Sequence, residues 1–257
     1  MIISLTTDFG LQDGYVGALK GVLLAQAPQA VLVDLAHDLP PFDIMHAAFV
    51  LRQAAPFFPP GTVHVAVVDP GVGGPRRGII VARAGQYFVG PDNGIFSPFL
   101  DEAAVVHELS DPNLWRPNPD RTFHGRDLFA PTAAKIVLGM QPADCGPVVY
   151  DPVRLPAWEI HQERNSFVAA IVHIDRFGNA ITALAGERLS ELGDGAYLAQ
   201  VGDYPPMPVA RAYHEVKPGS PVAVIGSTGL LELAVREGNA AATFNLRRGL
   251  PVRISIL

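Results

Sequence analysis

Thr62-Val63-His64-Val65-Ala66-Val67-Val68-Asp69-Pro70-Gly71-Val72-Gly73-Gly74 runs from a Val-rich segment straight into a carboxylate and three glycines. A β-branched apolar run that stops at Asp-Pro-Gly reads as a buried strand ending in a polar turn. The same form appears twice upstream. Residues 2–5 are apolar and end at Thr6-Thr7-Asp8, and the strand-like run 31–35 is followed by His37-Asp38. Helical periods lie between these runs. Val16, Leu19, Leu23 and Ala27 form one; Ile44, Ala47, Ala48 and Leu51 form the next, stopped by Pro56 and Pro59. Downstream, residues 78–82 and 86–89 flank Ala84-Gly85 as a hairpin, and 129–138 read as a further helix with Pro131 in its first turn. Strands alternating with helices predict an α/β N-terminal domain with a central, largely parallel sheet. Ligands of such sheets bind beyond the carboxyl ends of the strands, which puts the Asp8, His37 and Asp69 turns on one candidate edge.

The pattern changes near residue 141. Residues 141–156 are rich in Pro and Asp. Short apolar runs follow at 167–174, 181–184, 197–201, 221–225, 241–244 and 251–256, separated by Gly, Asn, Asp and Pro. Residues 230–236 read as a helical turn. The expected organisation is an α/β domain at 1–145, a linker at 146–164, and a small all-β, barrel-like domain at 165–257.

Composition excludes several classes. Charged residues are 17% of the 257, against a usual share of about 25%. There are 25 glycines and 24 prolines, enough for a turn-rich folded chain and too few for a fibre or a disordered tail. The net charge of −6 gives no bulk attraction for nucleic acid or an anionic membrane. No apolar run approaches the roughly 18–20 residues of a membrane span, and the N-terminus lacks a basic signal-peptide region. The lone Cys145 excludes an intrachain disulfide and a cysteine metal cage, in keeping with a cytoplasmic location.

Five segments carry polar chemistry, and each has a plain structural reading beside it. Asp69 opens a glycine loop leading to Arg76 and Arg77, which is either a ligand loop or a solvated turn. It is not a P-loop, because the Gly-Lys-Ser/Thr ending is absent. Thr122-Phe123-His124-Gly125-Arg126-Asp127 precedes a helix, where Asp127 caps or His124 acts. Asp175-Arg176-Phe177-Gly178-Asn179 offers a carboxylate, an aromatic face and an amide, or turns between strands. Gly226-Ser227-Thr228-Gly229 supplies small residues at a helix start, as an anion nest or simple capping. Thr7-Asp8-Phe9-Gly10 places a carboxylate where it can take a ribose diol. Its Asp-Phe-Gly is not that of a kinase, since no Gly-rich loop and strand lysine precede it. No His-Glu-x-x-His is present, which disfavours a zinc hydrolase.

Taken together, these strings resemble one family. Thr6 to Gly10 with Asp13, Tyr15, Val16, Gly17, Lys20 and Gly21 is similar to its N-terminal signature. His37, residues 67–73, 90–94, 123–127, 175–179, 226–229 and 238–240 match as well. The chain resembles the adenosine-forming S-adenosylmethionine hydrolases, or hydroxide adenosyltransferases, relatives of the fluorinases and chlorinases. The resemblance implies a C-terminal β-barrel and a homotrimer, with substrate held between the N-domain of one subunit and the C-domain of the next. It implies neither a metal nor another cofactor. Asp69, Arg76 and His124 match the family's Asp-Arg-His set. Halide-specific relatives carry tyrosine at the position of Asp69.

By the same resemblance, Asp8 meets the ribose diol and Asp175 the methionine ammonium. Ser227 and the Thr228 backbone meet the methionine carboxylate. Phe42, Phe123 and Phe177 flank the substrate, and Asn179 with the Ala240 backbone reads adenine. Phe42 stands where fluorinases have tryptophan, and Thr228 where they have arginine. The implied reaction is hydrolysis of S-adenosyl-L-methionine to adenosine and L-methionine. The alternatives are a chlorinase-like halogenase or a non-catalytic binder of the same ligand. Because the methionine leaves as a neutral thioether, no general acid is needed. The demand falls on the nucleophile, water, whose pKa is about 15.7. Arg76 supplies fixed positive charge, and His124 is the preferred proton acceptor, with Asp69 orienting.

Overall fold

The chain enters as β1 (Ile2–Thr7), then α1 (Tyr15–Gln26), β2 (Val31–Ala36) and α2 (Ile44–Ala54). The helical periods are the buried faces: Val16, Leu19 and Leu23 on α1, and Ala47, Ala48 and Leu51 on α2. Asp43 caps α2, its side chain accepting from His46 N–H at 3.0 Å. Next come β3 (Val63–Val67), β4 (Gly78–Arg83), β5 (Gln86–Pro91), β6 (Val105–Glu108) and α3 (Ala130–Val137). Ala84 and Gly85 join β4 to β5 with φ of 53° and 74°, the left-handed pair that suits a two-residue hairpin. The sheet order is β2-β1-β3-β5-β4-β6. Pairing is parallel from β2 through β5 and antiparallel around β4. This computed structural model describes all residues, Met1–Leu257.

Helices cover both faces of this sheet, and β3 shows the consequence. Val63, Val65 and Val67 pack with Leu19, Leu23 and Ala133, while Ala66 packs with Ala47 and Leu51. Every residue of β3 is therefore buried, and its sequence is continuously apolar rather than alternating. His64 is the exception in chemistry only. Its Nδ1 lies 2.6 Å from Ser4 Oγ, its ring stacks on Phe88, and burial pushes it down to about 4, so it stays neutral in the core.

The parallel register sets Thr6 opposite Ala36 and Thr7 opposite Val67. The three strands end level, so Asp8, His37 and Asp69 leave the sheet on the same edge. A single π turn, Gly125–Phe129, leads into α3. Such wide turns are rare and concentrate at functional sites.

The chain divides into two compact units, Met1–Leu155 and Pro156–Leu257. Of the segment 146–164 read as a linker, the first part is tied to the N-terminal unit. Glu108 N–H donates to Pro147 O at 2.9 Å, Arg77 pairs with Asp151 at 2.8 Å, and Leu155 N–H donates to Ser97 Oγ at 2.7 Å.

The second unit contains β7 (Ile160–Glu163), β8 (Ser166–Ile174), β9 (Ala180–Ala185), β10 (Tyr197–Val201), β11 (Met207–Ala210), β12 (Pro221–Ile225), β13 (Leu230–Val235), α4 (Ala240–Thr243) and β14 (Pro251–Ile256). The order is β14-β10-β11-β12-β13-β9-β8-β7, and β14 also pairs with β8. That pairing closes a barrel, with β7 added outside the ring, around Phe167, Leu231, Leu233 and Ile254. Two local readings exchange places here. Residues 230–236 are a strand, not a helical turn, because all of Leu230–Val235 is buried and no alternation survives. Residues 241–243 fall in α4 rather than a strand, and Phe244 is its C-cap. Asn239 caps it by accepting from Ala242 N–H at 2.7 Å. No helix is long and apolar enough to cross a membrane.

Candidate active site

The loop after β3 carries Asp69 and Arg76. It folds on itself through Val72 N–H to Asp69 O at 3.2 Å and Gly74 N–H to Gly71 O at 3.1 Å. Gly73 has φ of +76°, and a Cβ there would lie 2.5 Å from Arg121 O. Only glycine allows this approach, which brings the loop against the segment that presents His124.

Arg76 links the three residues. Its Nε lies 3.1 and 3.0 Å from the two Asp69 oxygens, and its Nη2 also donates to Oδ2. The same Nη2 is 2.7 Å from His124 Nδ1. The Asp69 side chain is 5% exposed and that of Arg76 12%, so little water competes for these bonds. Arg76 also lies over the Phe129 ring at 5.3 Å. Arg77, by contrast, is occupied by Asp92 and Asp151 and belongs to the scaffold.

Burial lowers the His124 pKa, the Arg76 charge lowers it further, and Asp69 opposes both without reversing the shift. His124 is therefore neutral at pH 7. A guanidinium can only donate, so Nδ1 is the acceptor and the ring proton is assigned to Nε2.

Behind His124, Asp127 closes the π turn. It accepts from Arg116 Nη1 at 2.9 Å, Arg126 Nε at 2.8 Å and Asp120 N–H at 2.8 Å. Arg126 foremost holds this carboxyl down to about 2.

Asp69 and His124 line a cleft of about 630 Å³ together with Asp8, Tyr15, Phe42 and Phe123, among others. Phe9, Tyr15 and Phe123 meet edge to face, with centroids 5.4–6.0 Å apart. Asp8 Oδ2 accepts from Phe42 N–H at 2.8 Å, which fixes the carboxylate beside the cleft. Phe42 itself has φ of 67° and is 70% exposed. The N-terminal unit thus gathers Asp8, Phe42, Asp69, Arg76, Phe123 and His124 in one place.

The remaining expected residues lie in the second unit. Asp175 Oδ1 accepts from Phe177 N–H at 2.9 Å and Asn179 N–H at 2.8 Å, and Oδ2 from Asn179 Nδ2 at 3.0 Å. The Phe177 ring is 74% exposed. Gly178 O accepts from Ala241 N–H at 2.8 Å, which sets the Asp175 loop beside Ala240. Ser227 and Thr228 sit in a hairpin turn between β12 and β13, closed by Gly229 N–H to Gly226 O at 3.0 Å. No helix starts there, so the helix-dipole argument for anion binding at this turn does not apply.

Sequence reasoning missed the packing role of Phe9, the Asp127 network and the Tyr213–Glu232 pair. Tyr213 donates to the buried Glu232, which burial pushes upward. The one available signal was the density of charge at Arg116, Asp120, Arg126 and Asp127.

Comparison with known proteins agrees along the whole chain. Residues 3–146 match the SAM hydroxide adenosyltransferase N-terminal domain, and residues 169–253 match the C-terminal domain of the same name. An (R)-S-adenosyl-L-methionine hydrolase from Thermus thermophilus is 43% identical over 96% of this chain and 97% of its own. A fluorinase from Nocardia brasiliensis is 25% identical over 99% of this chain and 97% of its own. A crystal structure of an uncharacterized conserved protein from Thermotoga maritima superposes with a TM-score of 0.93 at 33% identity, covering 99% of this chain and 100% of that one. With both halves matched in order and a relative of this identity over nearly its full length, the chain belongs to the SAM hydroxide adenosyltransferase family.

Proposed function

We propose that this protein hydrolyses S-adenosyl-L-methionine to adenosine and L-methionine by attack of water on C5′, in line with the departing sulfur. The observation that carries the reading is the Arg76 guanidinium bonded to both Asp69 and His124 at the edge of the cleft. The hydrolase relative at 43% identity, against the fluorinase at 25%, supports hydroxide rather than halide transfer.

The chemistry follows from charge. The substrate sulfonium makes C5′ electrophilic, and the thioether leaves without a proton. As the new C–O bond forms, the attacking water becomes strongly acidic, so a weak base suffices to take its proton. The geometry favours Asp69 for that step over His124. The His124 Nδ1 lone pair is used by Arg76, and Nε2 carries the proton, so the ring offers an N–H donor. His124 and Arg76 then orient the nucleophile and stabilise its developing hydroxide character. Asp8 holds the ribose diol, with Phe42 and Phe123 against the substrate. Asp175, Phe177, Asn179, Ser227, Thr228 and Ala240 serve the methionine and adenine ends from a neighbouring copy in a homotrimer. The high exposure of both Phe42 and Phe177 supports that sharing, since aromatic faces of this kind call for a ligand or partner.

Purified protein incubated with S-adenosyl-L-methionine releases adenosine and methionine in equal amounts, and chloride diverts none of the product to 5′-chloro-5′-deoxyadenosine. Binding without product over hours excludes the reading. The pH profile is a further check. Because His124 is held below its usual range, kcat stays level from neutral pH down past the ordinary imidazole pKa. It falls only where His124 gains a proton and repels Arg76. A fall centred on the ordinary imidazole value contradicts this assignment.

A further inference from the structure

A polar chain runs from the solvent-accessible Lys20–Asp34 pair to the buried His37 and Thr7 behind the Asp8 turn, and of its members only Phe9 lines the cleft. Lys20 Nζ donates to Asp34 Oδ2 at 2.6 Å. Asp34 Oδ1 lies 3.1 Å from His37 Nε2, close enough for strong attraction though off the line of a good hydrogen bond. His37 Nδ1 is 2.7 Å from Thr7 Oγ1, and Thr7 Oγ1 accepts from Phe9 N–H at 3.3 Å. The His37 carbonyl accepts from Gly10 N–H at 2.8 Å. The His37 side chain is 3% exposed.

The chain has one self-consistent direction. Burial works against the Asp34 charge, but Lys20 and His37 outweigh it and keep the carboxyl below its usual range. The anion favours the ring proton on Nε2, so Nδ1 accepts from the Thr7 hydroxyl. That hydroxyl is then oriented with its lone pairs toward Phe9 N–H. Thr7 and Phe9 flank Asp8 in sequence, and Gly10 is held by the same histidine. His37 therefore grips the turn on both sides of the carboxylate from a neighbouring strand end.

We propose that His37, acting through Thr7, is a positioning residue that holds the Asp8 carboxylate in place for the ribose diol of the substrate. The inference rests on the ribose contact assigned to Asp8 above.

Two nucleosides separate positioning from folding. Adenosine carries the diol; 2′,3′-dideoxyadenosine lacks it and gains nothing from a well-placed Asp8. Calorimetric affinities for both are measured on the full-length wild type, Thr7→Val, His37→Leu and His37→Asn. Thr7→Val keeps the shape and removes only the hydroxyl. In both Thr7→Val and His37→Leu, adenosine affinity falls by about tenfold, as for a lost hydrogen bond to a charged group, while dideoxyadenosine affinity is unchanged. In His37→Asn, the amide oxygen takes the place of Nδ1 and restores most of the adenosine affinity. Equal weakening for both nucleosides, or no change for either, overturns the proposal. So does a wild type that fails to prefer adenosine over the dideoxy analogue. Adenosine release from S-adenosyl-L-methionine by the wild type is followed in parallel. Its absence overturns the hydrolase reading, while the nucleoside comparison still decides the role of His37.

Discussion

Replacing Arg76 by methionine slows adenosine release by about 100- to 1,000-fold, the usual effect of removing one fixed donor from a site where charge develops. The KM for S-adenosyl-L-methionine stays close to wild type, because in the proposed mechanism Arg76 acts on the nucleophile and not on the substrate's recognition groups. Methionine matches the length of the arginine stem, so packing over Phe129 is largely kept. Arg76→Lys is intermediate at best. A lysine brings positive charge but not the planar fork that reaches Asp69 and His124 together. The variant also carries a signature in pH. The Arg76 charge is the second cause, after burial, of the low His124 pKa. Removing it lets that pKa rise, so the acid limb of the residual activity moves to higher pH. Steady-state kinetics across pH check both statements. A wild-type rate in Arg76→Met contradicts the role.

Asp127→Asn produces the largest stability change among the site's neighbours. The carboxyl is held at about 2 against an ordinary 3.8, and its side chain is 2% exposed. The full shift corresponds to roughly 2 kcal/mol at about 1.36 kcal/mol per pKa unit. Its arginine partners are 43% and 30% exposed, and solvent screening brings this to about 1–2 kcal/mol. The sign follows from the direction of the shift. A carboxyl depressed in the folded state stabilises above its unfolded pKa of 3.8, and the contribution disappears as pH falls through about 2. Urea titrations therefore show wild type ahead of Asp127→Asn at neutral pH and the gap closing between pH 4 and 2. A gap independent of pH assigns the loss to packing and not to ionisation. Because Asp127 fixes the π turn next to His124, kcat falls too, by less than in Arg76→Met.

Much of the architecture was legible because its elements keep their periods. α1 and α2 show the helical spacing that buries one face, and Ala84-Gly85 marks the β4–β5 hairpin. β1 and β3 announce themselves as apolar runs broken by Asp8 and Asp69. Legibility failed where burial is complete or context dominates. β13 is buried on both faces, so it lost the alternation that would separate it from a helix. α4 is one short turn whose cap, Asn239, decides it against the apolar run. β11 lies among Pro205, Pro206 and Pro208 and carries no strand signal of its own.

At the site, the seven-residue spacing of Asp69 and Arg76 was visible, as was the glycine loop between them. The bond from Arg76 to His124 joins residues 48 apart and exists only in the fold. It weighs against His124 and for Asp69 as the proposed proton acceptor, since an Nδ1 that already accepts from arginine leaves the ring as a donor. The edge-to-face cluster of Phe9, Tyr15 and Phe123 had no periodic signature, because its members come from two turns and a helix start.

The central claim is that water itself attacks C5′ at the Asp69–Arg76–His124 set. It is tested most directly by running the reaction in water enriched in heavy oxygen and weighing the products. The account requires adenosine with one heavy atom at its 5′-oxygen and methionine with none. Unlabelled adenosine, or label in methionine instead, contradicts it.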